Sequence, residues 1–182
     1  MPRIPYPDLD EAHERIRKIW EGLPIKLNVF RILLHAERNV EPLLRLGGTI
    51  LARQDLAGNL RELAILRVAH LSKAPYEWVQ HVPIALQTGC TQAQVDALER
   101  GDVSAACFDG KERAVLTFTD EVVKDVRPSD QALQALEQHL SSREVVELTI
   151  AIGFYMLMAR VMEVTGIEVE PAQGDRLVRN MS

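Results

Sequence analysis

The sequence predicts an all-α chain, and three observations predict it. Apolar residues recur three and four positions apart along nearly its whole length, the period of a helix that buries one face. No stretch alternates apolar and polar residues with the β-branched and aromatic enrichment of a strand. Two capping patterns, Thr91-Gln-Ala-Gln94 and Ser141-Ser-Arg-Glu144, mark helix starts. With 182 residues, 47% of them hydrophobic, the chain can bury the core of one domain or of two small similar halves.

The first helix is predicted to start near Asp8, with His13, Ile16, Ile19 and Trp20 on one face. A second starts near Leu27 and a third near Glu41-Pro42, where proline suits the first turn. In the third, Leu43, Leu44, Leu46, Ile50 and Leu51 are expected to face the core. After the Gly58-Asn59 break comes the stretch Arg61 to His70, which has so little polar face that it should be central. Lys73-Ala74-Pro75 ends or kinks it, and Pro75 restarts a helix running through Tyr76, Glu77, Trp78 and His81 to Gly89. Pro83 should kink that helix or stop it early.

Thr91 then caps a short helix ending at Gly101, and Asp102 to Gly110 reads as a linker. Lys111 to Val126 form a long amphipathic helix, Pro128-Ser129-Asp130 starts another to about Leu140, and Ser141 opens the last. Val145 to Met162 approaches membrane-spanning length, but Glu147, Thr149 and Arg160 interrupt it, so it is expected to be a buried core helix. Arg160 there needs an acidic partner, from the protein or from a substrate. The tail after Pro171 is polar enough to be a mobile end or a clasp on a neighbouring subunit. Arg61-Glu-Leu-Ala-Ile-Leu66 is echoed by Val146-Glu-Leu-Thr-Ile-Ala151, a weak repeat consistent with two related helical units.

Charge and cysteines exclude several function classes. A net charge of −5 offers no footprint for nucleic acid or an anionic membrane. Cys90 and Cys107 are too few for a disulfide framework and too far apart for a Cys-x-x-Cys motif, which fits a reducing cytoplasm. The Pro-rich N-terminus lacks the apolar region of a secretory signal, so the expected location is cytoplasmic.

The chemistry gathers at Glu62, Glu77 and His81. Glu77 and His81 are four apart on a helix, so the carboxylate can raise the imidazole's pKa and set its tautomer. Glu62 begins an apolar helix, where burial would let it hold a proton. Tyr76 and Trp78 flank Glu77 and could wall a substrate pocket. A Glu-His pair at this spacing is also a common surface contact. Two carboxylates and one histidine without a ligand motif do not predict a metal, and no cofactor is expected.

The helix Arg61 to Ala69, then Tyr76-Glu77-Trp78 with His81, Ile84-Ala85 and Gly89-Cys90-Thr91 resemble the carboxymuconolactone decarboxylase family, which includes the alkyl hydroperoxidase D type proteins. The likeness continues through Glu112-Arg-Ala-Val-Leu116, Asp120-Glu121, Glu144 to Ile152 and Gly153 to Arg160. The resemblance implies an alkyl hydroperoxidase D-like helical bundle over the single domain 1–182, with a core at about 40–170 and an N-terminal helical extension at 1–39. It also implies a homo-oligomer, whether dimer, trimer or hexamer.

In the family's peroxidase branch a Glu, a Cys-x-x-Cys pair and a His act together, and the matching positions here are Glu62, Ala74, Glu77 and His81. Both thiols are replaced, and neither alanine nor glutamate supplies a thiolate. The decarboxylase branch needs no thiol. The resemblance therefore favours a lyase or isomerase acting on a small carboxylate or lactone, with His81 moving the proton, Glu77 orienting it and Glu62 as a second acid. The alternatives are a peroxidase with an atypical thiol, of which Cys90 at a helix start is the candidate, and a non-catalytic ligand-binding oligomer.

Overall fold

Helix α4 (Gly58–Ser72) is the axis of the structure, a computed structural model that describes residues 1–173 and Arg176. Every residue of α4 from Leu60 to Ala69 is buried, because neighbours pack on it from several directions. They are α5 (Pro75–Gln87), α6 (Gln92–Glu99), α7 (Gly110–Asp125) and α9 (Ser142–Thr165). Around this frame lie α1 (Glu14–Gly22), α2 (Asn28–Leu33), α3 (Val40–Ala52) and α8 (Asp130–Glu137). The described residues contain no strand.

Three apolar clusters hold the helices together. One joins α4 to α7, α8 and α9 through Ile65, Val68, Val115 and Leu148. A second packs α1, α2 and α3 against Tyr76, Met158 and Met162, and a third sets α4 on α6 through Leu63, Leu66, Leu98 and Phe108. Leu63, Ile65 and Leu66 are fully enclosed, so each stabilises the fold by about 1.5–3 kcal/mol.

Local chemistry sets where the helices begin and turn. Thr91 and Ser141 form the reciprocal capping boxes that the sequence predicts, and Asp109 with Glu112 adds a third. Lys73 closes α4 in the left-handed region at φ 52°, and the Ala74 N–H returns to the Ala69 carbonyl at 2.9 Å. Pro75 then occupies the first turn of α5, which doubles back along α4. The helix continues through Pro83 to Gln87 with no early stop.

Several expectations need correction. Helix α1 begins at Glu14 rather than near Asp8, since the His13 imidazole accepts the Arg15 N–H and acts as its cap. Leu46 is 41% exposed, on the outer side of α3. Helix α8 ends at Glu137 instead of near Leu140. The inner side of α9 is buried at Leu148, Ile152, Tyr155 and Ala159, yet Val146, Ile150, Leu157 and Val164 form a bare stripe. It is long and apolar enough to cross a membrane by length and composition, but packs as a core helix on one face. Arg160 finds no acid among the described residues and donates to the Met156 carbonyl at 2.6 Å from an exposed position. Apart from Arg176, the tail beyond Gln173 lies outside the described residues.

Candidate active site

The tight turn between α4 and α5 brings α5 back beside the first turns of α4. Glu62, wholly enclosed, accepts the Arg61 Nε–H at 3.0 Å on one oxygen and the His81 Nδ1–H at 2.8 Å on the other. A carboxylate on Nδ1 sets the tautomer and ring plane, leaving Nε2 as the nitrogen not engaged by Glu62. The edge-to-face contact of His81 with Tyr155, at 4.7 Å and 85°, fixes the ring from a second side.

Beside this pair is a cavity of about 360 Å³. Its polar end carries Glu77, His81 and Tyr155, and its apolar walls include Phe30, Leu44, Phe154 and Met158. Residues from the Leu23–Leu33 stretch cover one side, so the N-terminal extension is part of the wall. Both carboxyl oxygens of Glu77 are buried without a hydrogen-bond partner among the described residues. Burial above all, and then the negative charges of Glu62 and Glu163, hold its proton far above the usual carboxylate range. The Tyr155 hydroxyl is likewise kept protonated, first by burial and then by Glu62 and Glu77.

Glu77, His81 and Tyr76 line the cavity, whereas Glu62 stands behind His81 and reaches the cavity through it. The expected pairing is therefore corrected: Glu62 orients His81, and Glu77 makes no hydrogen bond to it. Trp78 is not a cavity wall. It lies about 100° around the helix from Glu77, packs against the Leu63–Leu66 cluster and lines a separate shallow hollow with His70 and Ala74. Tyr76 contributes its ring, but its hydroxyl is occupied: it donates to the Glu170 carboxylate and accepts the Val29 N–H at 3.3 Å.

Glu170 also accepts the Asn28 N–H at 2.7 Å, and Gln80 donates to the Glu170 and Pro171 carbonyls at 3.3 and 3.4 Å. The segment at Glu170 and Pro171 is thus tied across α2 and α5. Tyr155 and Gln80 in the cavity wall, and Arg61 and Glu170 beside it, are residues that sequence reasoning did not select. Arg61 had a signal, being a cation next to an acid in an apolar run, whereas Glu170 had none.

Cys90 is not an activated thiol. It is buried, its Sγ lies 3.5 Å from the Asn59 carbonyl, and burial, aided by Glu62 and Glu112, pushes it up to about 12. Desolvation outweighs the helix-start effect expected from the sequence. Among the described residues no group of three or more His, Cys, Asp or Glu side chains is placed to hold a metal ion.

Comparison with known proteins places this geometry in context. Residues 39–121 match the Carboxymuconolactone decarboxylase family. Among curated proteins no sequence match is found. A peroxidase-related protein with an alkylhydroperoxidase AhpD core from Ralstonia eutropha JMP134 superposes with a TM-score of 0.78 at 18% identity, over 97% of this chain and 94% of that one. A peroxidase-related protein from Silicibacter sp. TM1040 gives 0.79 at 16% identity, over 93% and 92%. A Cys-to-Ala variant of the debrominase Bmp8 in complex with a tribromopyrrole gives 0.73 at 15% identity, over 99% and 97%. Residues 39–121 thus match the Carboxymuconolactone decarboxylase family within a chain that has the alkylhydroperoxidase D-like fold.

Proposed function

We propose that the protein is a cofactor-independent lyase or isomerase that moves a proton on a small carbonyl compound or lactone held in the cavity. One observation carries this reading: a carboxylate-oriented histidine and a protonated, unpartnered carboxyl face the same small apolar space. His81 Nε2 takes a proton from the carbon beside the carbonyl, and the electron pair of that C–H bond becomes the enolate. The Glu62 carboxylate stabilises the imidazolium that results. The Glu77 carboxyl donates its hydrogen bond to the enolate oxygen, where the negative charge develops. Return of the proton to a different carbon shifts the double bond, and a leaving group on the neighbouring carbon would give the lyase outcome.

Thiol chemistry has less support, because a buried and protonated Cys90 is a poor nucleophile. The tribromopyrrole complex of a protein sharing the fold supports a substrate of ring size. With a substrate from a screen of lactones and carbonyl compounds, His81→Ala and Glu62→Gln are expected to lower kcat by about a hundredfold or more. Unchanged turnover in both variants sinks the proposal.

A further inference from the structure

The charge distribution around the cavity narrows what can enter it, given the proton-transfer reading above. Two carboxyl groups stand at its polar end, the unpartnered Glu77 in the wall and Glu62 behind His81. The nearby buried cation, Arg61, is already bonded to Glu62 and does not line the cavity. Among the described lining residues the single cationic side chain is Arg45, which sits on the exposed side of α3 and also borders a surface hollow. A substrate carboxylate at the polar end would therefore find no arginine or lysine free to pair with it, and an unpaired buried charge is strongly disfavoured.

Both oxygens of Glu77 need partners that no group among the described residues supplies, although the residue is only 2% exposed. A protonated carboxyl offers one donor and keeps acceptor capacity. A neutral carbonyl or ring heteroatom fits that donor, and the apolar walls fit a hydrocarbon body. A volume of about 360 Å³ falls at the small end of ligand pockets.

We infer that the cavity takes a neutral, predominantly apolar molecule of one or two rings that presents a hydrogen-bond acceptor to Glu77, and that it rejects carboxylates. Calorimetric titration of the full-length protein at neutral pH with acetophenone, benzoate and ethylbenzene tests this, since the three probes share a ring and differ in the group offered to Glu77. Acetophenone is expected to bind at least about tenfold more tightly than benzoate and roughly fivefold more tightly than ethylbenzene. In Glu77→Leu, checked for folding by its helical signal, the advantage over ethylbenzene disappears, and in Glu77→Gln, which keeps a donor, part of it remains.

Benzoate binding as tightly as acetophenone to the wild-type protein, or no binding of either neutral probe, overturns the inference without recourse to a variant. Retention of the full acetophenone advantage in Glu77→Leu also overturns it. A carboxylate that binds and is turned over through His81 would defeat this substrate class while leaving the proton-transfer reading intact. Neutral-probe preference in a protein whose turnover is indifferent to His81→Ala would do the reverse.

Discussion

Glu62 and Glu147 occupy equivalent places in two echoing stretches of sequence, near the starts of two long apolar helices, yet they do different work. Glu62 is sealed inside the protein between Arg61 and His81. Glu147 is partly buried, accepts the Leu56 N–H at 2.8 Å and pairs with Arg143, which is largely exposed. The helices differ in the same sense, for α4 is enclosed from Leu60 to Ala69 and α9 is covered on one face only. An acid near a helix start is a local feature; whether it pairs with another titratable side chain depends on what the next element places opposite it. For Glu62 that is an imidazole, and for Glu147 it is the backbone of the loop before α4.

Breaking the two acids in parallel gives the largest expected contrast. Glu62→Ala leaves Arg61 buried and unpaired, so urea denaturation should show a loss of about 3–5 kcal/mol. Glu147→Ala removes a backbone contact and a solvent-screened ion pair, and the same measurement should show about 1 kcal/mol. Equal losses would mean that the two sites do not differ in the way described.

Glu77 sharpens the comparison from the cavity side. Its carboxyl keeps in the folded protein a proton that the unfolded chain releases near 4.5. The stability it contributes is complete below that pH and is lost as pH rises toward the folded-state value, at up to about 1.4 kcal/mol per pH unit. Glutamine cannot ionise, so denaturation midpoints of Glu77→Gln measured from acid to neutral pH should lose this decline. Parallel curves for the two proteins would show that Glu77 is ionised.

How much of this was legible in the sequence follows from the range of each interaction. The capping boxes at Thr91 and Ser141 and the restart at Pro75 depend on residues a few positions apart, and they formed as read. The centrality of α4 followed from its lack of a polar face. Within α5 the sequence offered Glu77 as the partner of His81 because the two are one turn apart. The partner in the fold is Glu62, because the left-handed Lys73 residue swings α5 onto α4. Trp78 misled for the opposite reason, since adjacency to an acid in sequence means a different face on a helix. The wall supplied by residues 23–33 and the Glu170 tie depend on contacts far apart in the chain, which periodicity cannot report.

Smaller effects test the edges of the comparison. Cys90→Ala should leave turnover unchanged and cost about 1 kcal/mol in packing, with intact-mass spectra showing no peroxide-dependent oxidation of Cys90 in the wild-type protein. Loss of turnover on that substitution would return thiol chemistry to the site. Lys73→Gly relieves the left-handed strain in the turn that joins Glu62 to His81, and thermal denaturation should register a gain of about 0.5–1 kcal/mol. A loss instead would mean that the lysine side chain holds the turn.

Glu170 links the N-terminal end of α2 with Tyr76 on α5, and both of those elements contribute residues to the cavity wall. Two segments of its wall are therefore held together by a residue outside the wall itself, so removing the Glu170 carboxylate would loosen the cavity without altering its lining.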